Sequence, residues 1–186
     1  MPDGFRIEKF VEGLTTPRVI VVADNGTIYV SSRDDGTITM LRVKNGRADA
    51  PKIVLKKKDV HGLAVRGRVL FYTTVWEVFS APLKDDGTLG RERRIAGDLP
   101  DAGQHANRTL GFSSDGLLYL SVGSTCNACE ERNAENATML RMRPDGKFSP
   151  PDCVTPSASR GSLGPVPCTA STTASMRPAT ISKGKN

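Results

Sequence analysis

The sequence holds only two histidines, His61 and His105, and each stands immediately before an apolar stretch that reads as a β-strand. Imidazole, with an unperturbed pKa of about 6.5, is largely neutral near pH 7 and suited to taking a proton from a reacting hydroxyl. Arg108 follows His105 by three residues in the run GQHANRT. A guanidinium there has two readings: a bidentate partner for a ligand carboxylate, or one half of a salt bridge between neighbouring elements. Gln104 and Asn107 are weaker pocket candidates, and Asp101 either orients His105 or closes a turn. On residue type alone, each histidine either faces a shared pocket or caps its own turn.

Four cysteines form a close pair, Cys126 and Cys129, and two distant residues, Cys153 and Cys168. Glu130 follows the CxxC, where haem attachment requires His, and a four-thiolate zinc site would need the two distant cysteines as well. No thioredoxin-like βαβ pattern surrounds the pair, which makes redox catalysis a poor reading; it reads as a local pair in a loop over the pocket rim, oxidised if the protein is exported.

The elements that would position these residues repeat. PRVIVVADNGTIYVSS from Pro17, HGLAVRGRVLFYTT from His61 and RTLGFSSDGLLYLSVGS from Arg108 share one pattern: apolar strand, glycine turn, apolar strand ending in Ser or Thr. Aligning Ile28, Leu70 and Leu118 spaces them by 42 and 48 residues. Asn25-Gly26 and Asp115-Gly116 read as two-residue hairpin turns, because both positions tolerate positive φ. A second apolar strand with an Asn-Gly or Asp-Gly turn follows each time, reaching Gly46, Gly87 and Gly146. Four strands in ~40–50 residues is the size of a propeller blade. The expected fold is therefore an all-β propeller of about three blades, with Phe5–Val11 as an outer strand of another. Since ~4–8 blades close a ring, this ring is expected to be incomplete. Both histidines would sit at the start of the first, axis-nearest strand of adjacent blades.

A net charge of +6 over 186 residues is modest. The basic clusters Lys56–Lys58 and Arg91–Arg94 lie beside turn signals without interleaved aromatics, which reads as a solvated face rather than a nucleic-acid site. No run approaches the ~18–20 apolar residues of a membrane span. The opening MPDGFRIEKF has neither the basic stretch nor the apolar core of a signal peptide.

The segment from Gly103 to Gly146, with HGLAV at His61 and the opening GFRIEKFVEGLTTPR, resembles the soluble pyrroloquinoline quinone (PQQ) glucose/sorbosone dehydrogenases, in particular their sorbosone dehydrogenase branch. The STCNAC insertion is the most specific piece. The resemblance implies a six-bladed propeller with PQQ on its axis and Ca²⁺ beside it, oxidising an aldose or sorbosone at the carbonyl or anomeric carbon with hydride transfer to PQQ. It implies His105 as general base; beside it, His61, Gln104 and Arg108 are expected to bind the cofactor, with no metal ligand assigned. A periplasmic or secreted location is implied as well; the electron acceptor is not. The alternative from a different class is a non-catalytic propeller module that binds a carbohydrate or a protein partner.

After Lys147 the patterning stops, and 25 of the last 39 residues are Ser, Thr, Pro, Ala or Gly. Asp152 to Arg160 can be encoded as GAC TGC GTA ACA CCA TCG GCT TCG CGN, which from its third base reads LRNTIGFA. The same shift from Pro167 permits VYGFDNGIDAAGDDIQGEE. Both strings resemble the family's next motifs, in order. Residues 148–186 are therefore expected to be a frameshifted, disordered tail, and residues 1–147 the N-terminal blades, a fragment expected to be inactive by itself.

Overall fold

The computed structural model describes residues 2–101 and 103–142; the expectation for residues 148–186 lies outside them. Blade 1 runs β1 (Pro17–Val22), β2 (Ile28–Ser32), β3 (Thr37–Leu41), a short side hairpin β4 (Val43–Lys44) and β5 (Arg47–Ala48), then β6 (Lys52–Lys56). Blade 2 is β7 (Leu63–Arg66), β8 (Val69–Thr73), β9 (Val78–Pro82) and β10 (Arg93–Ala96), and blade 3 contributes β11 (Leu110–Phe112), β12 (Leu118–Val122) and β13 (Thr138–Met142). Each blade is an antiparallel meander, in the order β1-β2-β3-β6, β7-β8-β9-β10 and β11-β12-β13. The first strands lie side by side, β1 against β7 and β7 against β11, which makes them the axis side of the array.

The repeat has a physical basis in its loops. Ala23 N–H bonds Thr27 O, Lys84 N–H bonds Thr88 O and Ser113 N–H bonds Leu117 O, each closing a three-residue loop. In all three the last loop residue is a left-handed glycine, Gly26, Gly87 and Gly116, with φ from 77° to 85°. The Asn or Asp before it caps the backbone N–H two residues on: Asn25 to Thr27, Asp86 to Thr88, Asp115 to Leu117. The expected two-residue turns at Asn25-Gly26 and Asp115-Gly116 are thus corrected. Only the glycine takes positive φ, and the acidic or amide side chain serves as an Asx cap instead. Asn45-Gly46, by contrast, closes the side hairpin β4–β5 and not the step to the outer strand. Phe5–Val11 forms no strand, and Phe5 and Ile7 are 72% and 80% exposed.

Blade 2 is apolar on both faces because side chains alternate along a strand. On β8, Leu70 and Tyr72 enter the core shared with blade 1, and Phe71 enters the core shared with blade 3. On β9, Val78 and Phe79 divide in the same way. Among the described residues, blade 1 has a partner on one face. Val19 and Val21 pack toward blade 2, whereas Ile20 and Val22 are 63% and 60% exposed.

Polar ties reinforce these cores. Tyr29 Oη donates to Gly87 O at 2.7 Å. Lys57 of blade 1 bonds Glu92 of blade 2, which also accepts from Tyr72 Oη, and the Lys57 ammonium sits 3.8 Å from the Phe79 ring centre. Among the described residues no helix is long and apolar enough to cross a membrane.

Candidate functional site

A Ser or Thr in one of the last two positions of the second strand of each repeat clasps the start of the first strand. Ser31 Oγ accepts from Val19 N–H, Thr73 Oγ1 from Gly62 N–H and Ser121 Oγ from Thr109 N–H. These clasps fix the strand starts, and the starts carry the candidate residues.

His61 is held at three points. Its N–H donates to Thr73 O at 2.9 Å and its carbonyl accepts from Ser31 Oγ at 2.5 Å. Its Nδ1 lies 2.7 Å from the Arg108 carbonyl. A carbonyl only accepts, so Nδ1 carries the proton and Nε2 of the neutral ring is a bare lone pair. Burial holds His61 below the usual 6.5; the Arg108 carbonyl opposes this, and the charges of Arg33 and Arg18 add to it. At pH 7 His61 is therefore a neutral acceptor.

Arg108 turns inward. It is fully buried, with Nε donating to Val75 O at 3.1 Å and Nη2 donating to Pro100 O. Its Nη1 is buried without a hydrogen-bond partner. Of the two sequence readings, the blade-to-blade tie is nearer to this arrangement, but the guanidinium meets backbone carbonyls in place of a carboxylate. Gly62 gives room for the Arg108 backbone, since a Cβ there would lie 2.6 Å from the Arg108 carbonyl oxygen that His61 bonds.

His105 ends the single turn of 3₁₀ helix Gly103–His105 and is exposed. Asp101 accepts from Gly103 N–H at 2.8 Å, so it closes this turn and makes no bond to His105. Gln104 is exposed, with its backbone N–H bonded to Thr125 O at 3.3 Å. The His105 backbone rests on the end of β12: a Cβ on Gly123 would lie 2.0 Å from His105 O. His105 Nε2 is 2.8 Å from Asn127 Oδ1, inside the loop that the Cys126–Cys129 disulfide closes. Among the described residues no hydrogen bond joins His61 to His105.

Arg33, Arg18 and Asn127 were not singled out by sequence. Arg33 follows β2, and Pro17 pairs with Ser32, so Arg33 and Arg18 reach the same rim as His61. Arg33 Nη1 donates to Asn107 Oδ1 at 3.0 Å, spanning from blade 1 to blade 3. Strand register would have found Arg33, since an antiparallel second strand ends where the first begins.

Arg18 and Arg33 bring two guanidiniums to this rim, beside Asn107 and the acceptor Nε2 of neutral His61, and the guanidiniums fit an anionic, carboxylate-bearing ligand. A groove of about 560 Å³, lined by residues 33–36 and 56–59 with charges of both signs, shares Arg33 with this rim. Among the described residues no three His, Cys, Asp or Glu side chains converge, and no step is derived through a metal.

A family model described as TrAA12-like matches residues 1–143. No curated protein matches the sequence. Among solved structures, the chain is similar to the holo form of a pyranose dehydrogenase PQQ domain from Coprinopsis cinerea, at 25% identity and a TM-score of 0.68, over 75% of this chain and 36% of that one. It is similar to a Trichoderma reesei Carbohydrate-Active Enzymes Family AA12 protein at 26% identity and a TM-score of 0.66, over 80% and 40% of the two chains. The PQQ-bound form of aldose sugar dehydrogenase from Streptomyces coelicolor shares the fold, at 20% identity and a TM-score of 0.61, over 77% and 49%. The chain thus spans less than half the length of each.

Proposed function

The chain belongs to the TrAA12-like family, and from that premise we propose that it forms the N-terminal blades of a PQQ-dependent sugar dehydrogenase acting on an aldose or sorbosone. The observation that carries this reading is the polar rim at the starts of the inner strands, where the Arg18 and Arg33 guanidiniums, Asn107 and the acceptor Nε2 of His61 gather beside the loop of His105. The pyranose dehydrogenase and the aldose sugar dehydrogenase share this fold, and both contain PQQ.

PQQ, when bound, supplies the two-electron acceptor for sugar oxidation. Arg33 and Arg18 offer positive charge to its carboxylates, and Asn107 is held in place by Arg33. His61 offers Nε2 as an acceptor in a fixed tautomer. Gln104, exposed next to His105, is a second polar contact of the rim. Arg108 acts on the site indirectly, by fixing the backbone whose carbonyl sets the His61 tautomer. His105 takes the proton of the sugar hydroxyl. With Nε2–H donated to Asn127 Oδ1, its Nδ1 is the lone pair that receives it.

The test is kinetic, in a complete ring that carries these blades. General-base catalysis is worth roughly 10²–10⁴ in rate, so His105→Ala should lower kcat by about that factor while PQQ still binds. His61→Ala should weaken PQQ affinity and leave kcat at saturation less affected. Wild-type kcat for His105→Ala at saturating PQQ and sugar would refute the base assignment. Failure of the unsubstituted ring to oxidise any aldose would favour a carbohydrate- or protein-binding module.

A further inference from the structure

Blades 1 and 2 join their second and third strands through residues 33–36 and 74–77, whereas blade 3 uses residues 123–137 for the same step. This longer excursion folds back onto the turn at residues 103–105 and is laced from within. Glu131 accepts from Thr125 N–H at 2.7 Å, from Thr125 Oγ1 at 2.9 Å and from Asn136 Nδ2 at 3.2 Å. Thr125 O in turn accepts from Gln104 N–H at 3.3 Å, which ties the excursion to the turn that carries His105. At its tip the Cys126–Cys129 disulfide encloses Asn127 and Ala128.

We infer that Asn127 is the positioning residue of His105, and that the Cys126–Cys129 disulfide holds it in place for that task. The inference rests on His105 being the proton acceptor proposed above. An exposed imidazole on a short turn rotates freely about χ2 unless one nitrogen is engaged. The 2.8 Å bond to Asn127 Oδ1 engages Nε2, fixing the ring plane and leaving Nδ1 without a proton. Asn127 can do this only if its own backbone is fixed, and it lies inside a ring of four residues closed by a covalent bond. Opening the disulfide removes the ring constraint while leaving the Glu131 bonds in place. The loop would stay attached, but the orientation of His105 would be lost.

The chain has two histidines, so ring NMR of the ¹⁵N-histidine-labelled 186-residue protein reads both directly. With the disulfide closed, His105 should show the Nε2–H tautomer and His61 the opposite, Nδ1–H, tautomer. Asn127→Ala, or the double substitution Cys126→Ser with Cys129→Ser, should collapse the separation of the His105 ring nitrogens toward a mobile average. Treatment of the unsubstituted chain with a phosphine reductant should do the same. Asn127→Asp, which keeps the acceptor oxygen, should retain the tautomer. The His61 signal monitors folding in every sample and should not move. Unchanged His105 signals in Asn127→Ala and in the reduced chain, with His61 intact, would overturn the inference. An Nδ1–H tautomer for His105 in the oxidised chain would do so too. None of these readouts requires turnover, so they fail or succeed separately from the kinetic test of His105 as the base.

Discussion

Replacing Arg108 by Met separates a role in holding the blades together from a role in holding a ligand. The side chain is fully buried and supplies the donors for Val75 O and Pro100 O. Met keeps the unbranched stem and fills irregular space, but leaves both carbonyls without their donor. A buried acceptor stripped of its partner costs about 1–3 kcal/mol, so two cost about 2–6 kcal/mol. Removing a buried charge returns part of this through relieved desolvation, leaving a net loss of roughly 2–4 kcal/mol. At about 2–4 °C per kcal/mol for a chain of this size, Tm should fall by about 4–16 °C. The assay is denaturant and thermal unfolding of the 186-residue chain, with the m-value unchanged so that the shift reports stability. Arg108→Lys should lose nearly as much, because one ammonium cannot replace a fork aimed at two carbonyls. A stability change below about 0.5 kcal/mol, the range of ordinary surface substitutions, together with loss of PQQ affinity, would refute the structural role and return Arg108 to the ligand.

Two more outcomes are expected. The ring titration of His61 should have its midpoint below 6.5, since burial depresses it. The unfolded chain then takes the proton first, so the His61 contribution to stability is complete above about pH 6.5 and is lost as pH falls through its folded value. Unfolding at pH 7 and pH 5 should show this loss, and His61→Gln should abolish it; a midpoint at or above 6.5 would contradict the burial argument. Sequencing the gene across the Lys147 codon should reveal a one-base insertion or deletion with further blades encoded in the shifted frame. An intact frame with no such blades downstream would end that proposal.

Much of the fold was legible because a blade repeats its chemistry. The glycines at 26 and 116 marked the loops, and the apolar runs around Ile28, Leu70 and Leu118 marked the strands they join. Loop lengths were less legible, because Asn-Gly and Asp-Gly suit a two-residue turn by φ preference and an Asx-capped three-residue loop by hydrogen bonding. Phe5–Val11 had strand composition, but composition does not provide a neighbour to pair with. At the site, the positions of His61 and His105 before the inner strands could be read from the repeat. The inward turn of Arg108 could not, since an Arg at a strand start can point either way and its carbonyl partners, Val75 and Pro100, carry no signal in residue type. Asn127 was hidden for a similar reason: the CxxC spacing announces the covalent ring, whereas what the enclosed side chain touches depends on how the excursion folds back.

The division of β8 between two cores sets an order of local opening. Leu70 and Tyr72 are covered by blade 1, and Phe71 by blade 3, so the amides of β8 are freed only when both neighbours have let go. In stacked repeats, stability is close to a sum of unit and nearest-neighbour terms, and a unit with two interfaces opens after those with one. Amide hydrogen exchange should therefore be slowest at the centre of β8 and β9. It should be fastest along β1, where Ile20 and Val22 face solvent and fraying breaks a single interface. His61 stands between these extremes: its own ring is tied to blade 3 through Arg108 O, yet its carbonyl is tied to blade 1 through Ser31. Fraying of blade 1 alone would therefore release one tether of the imidazole and leave its tautomer intact.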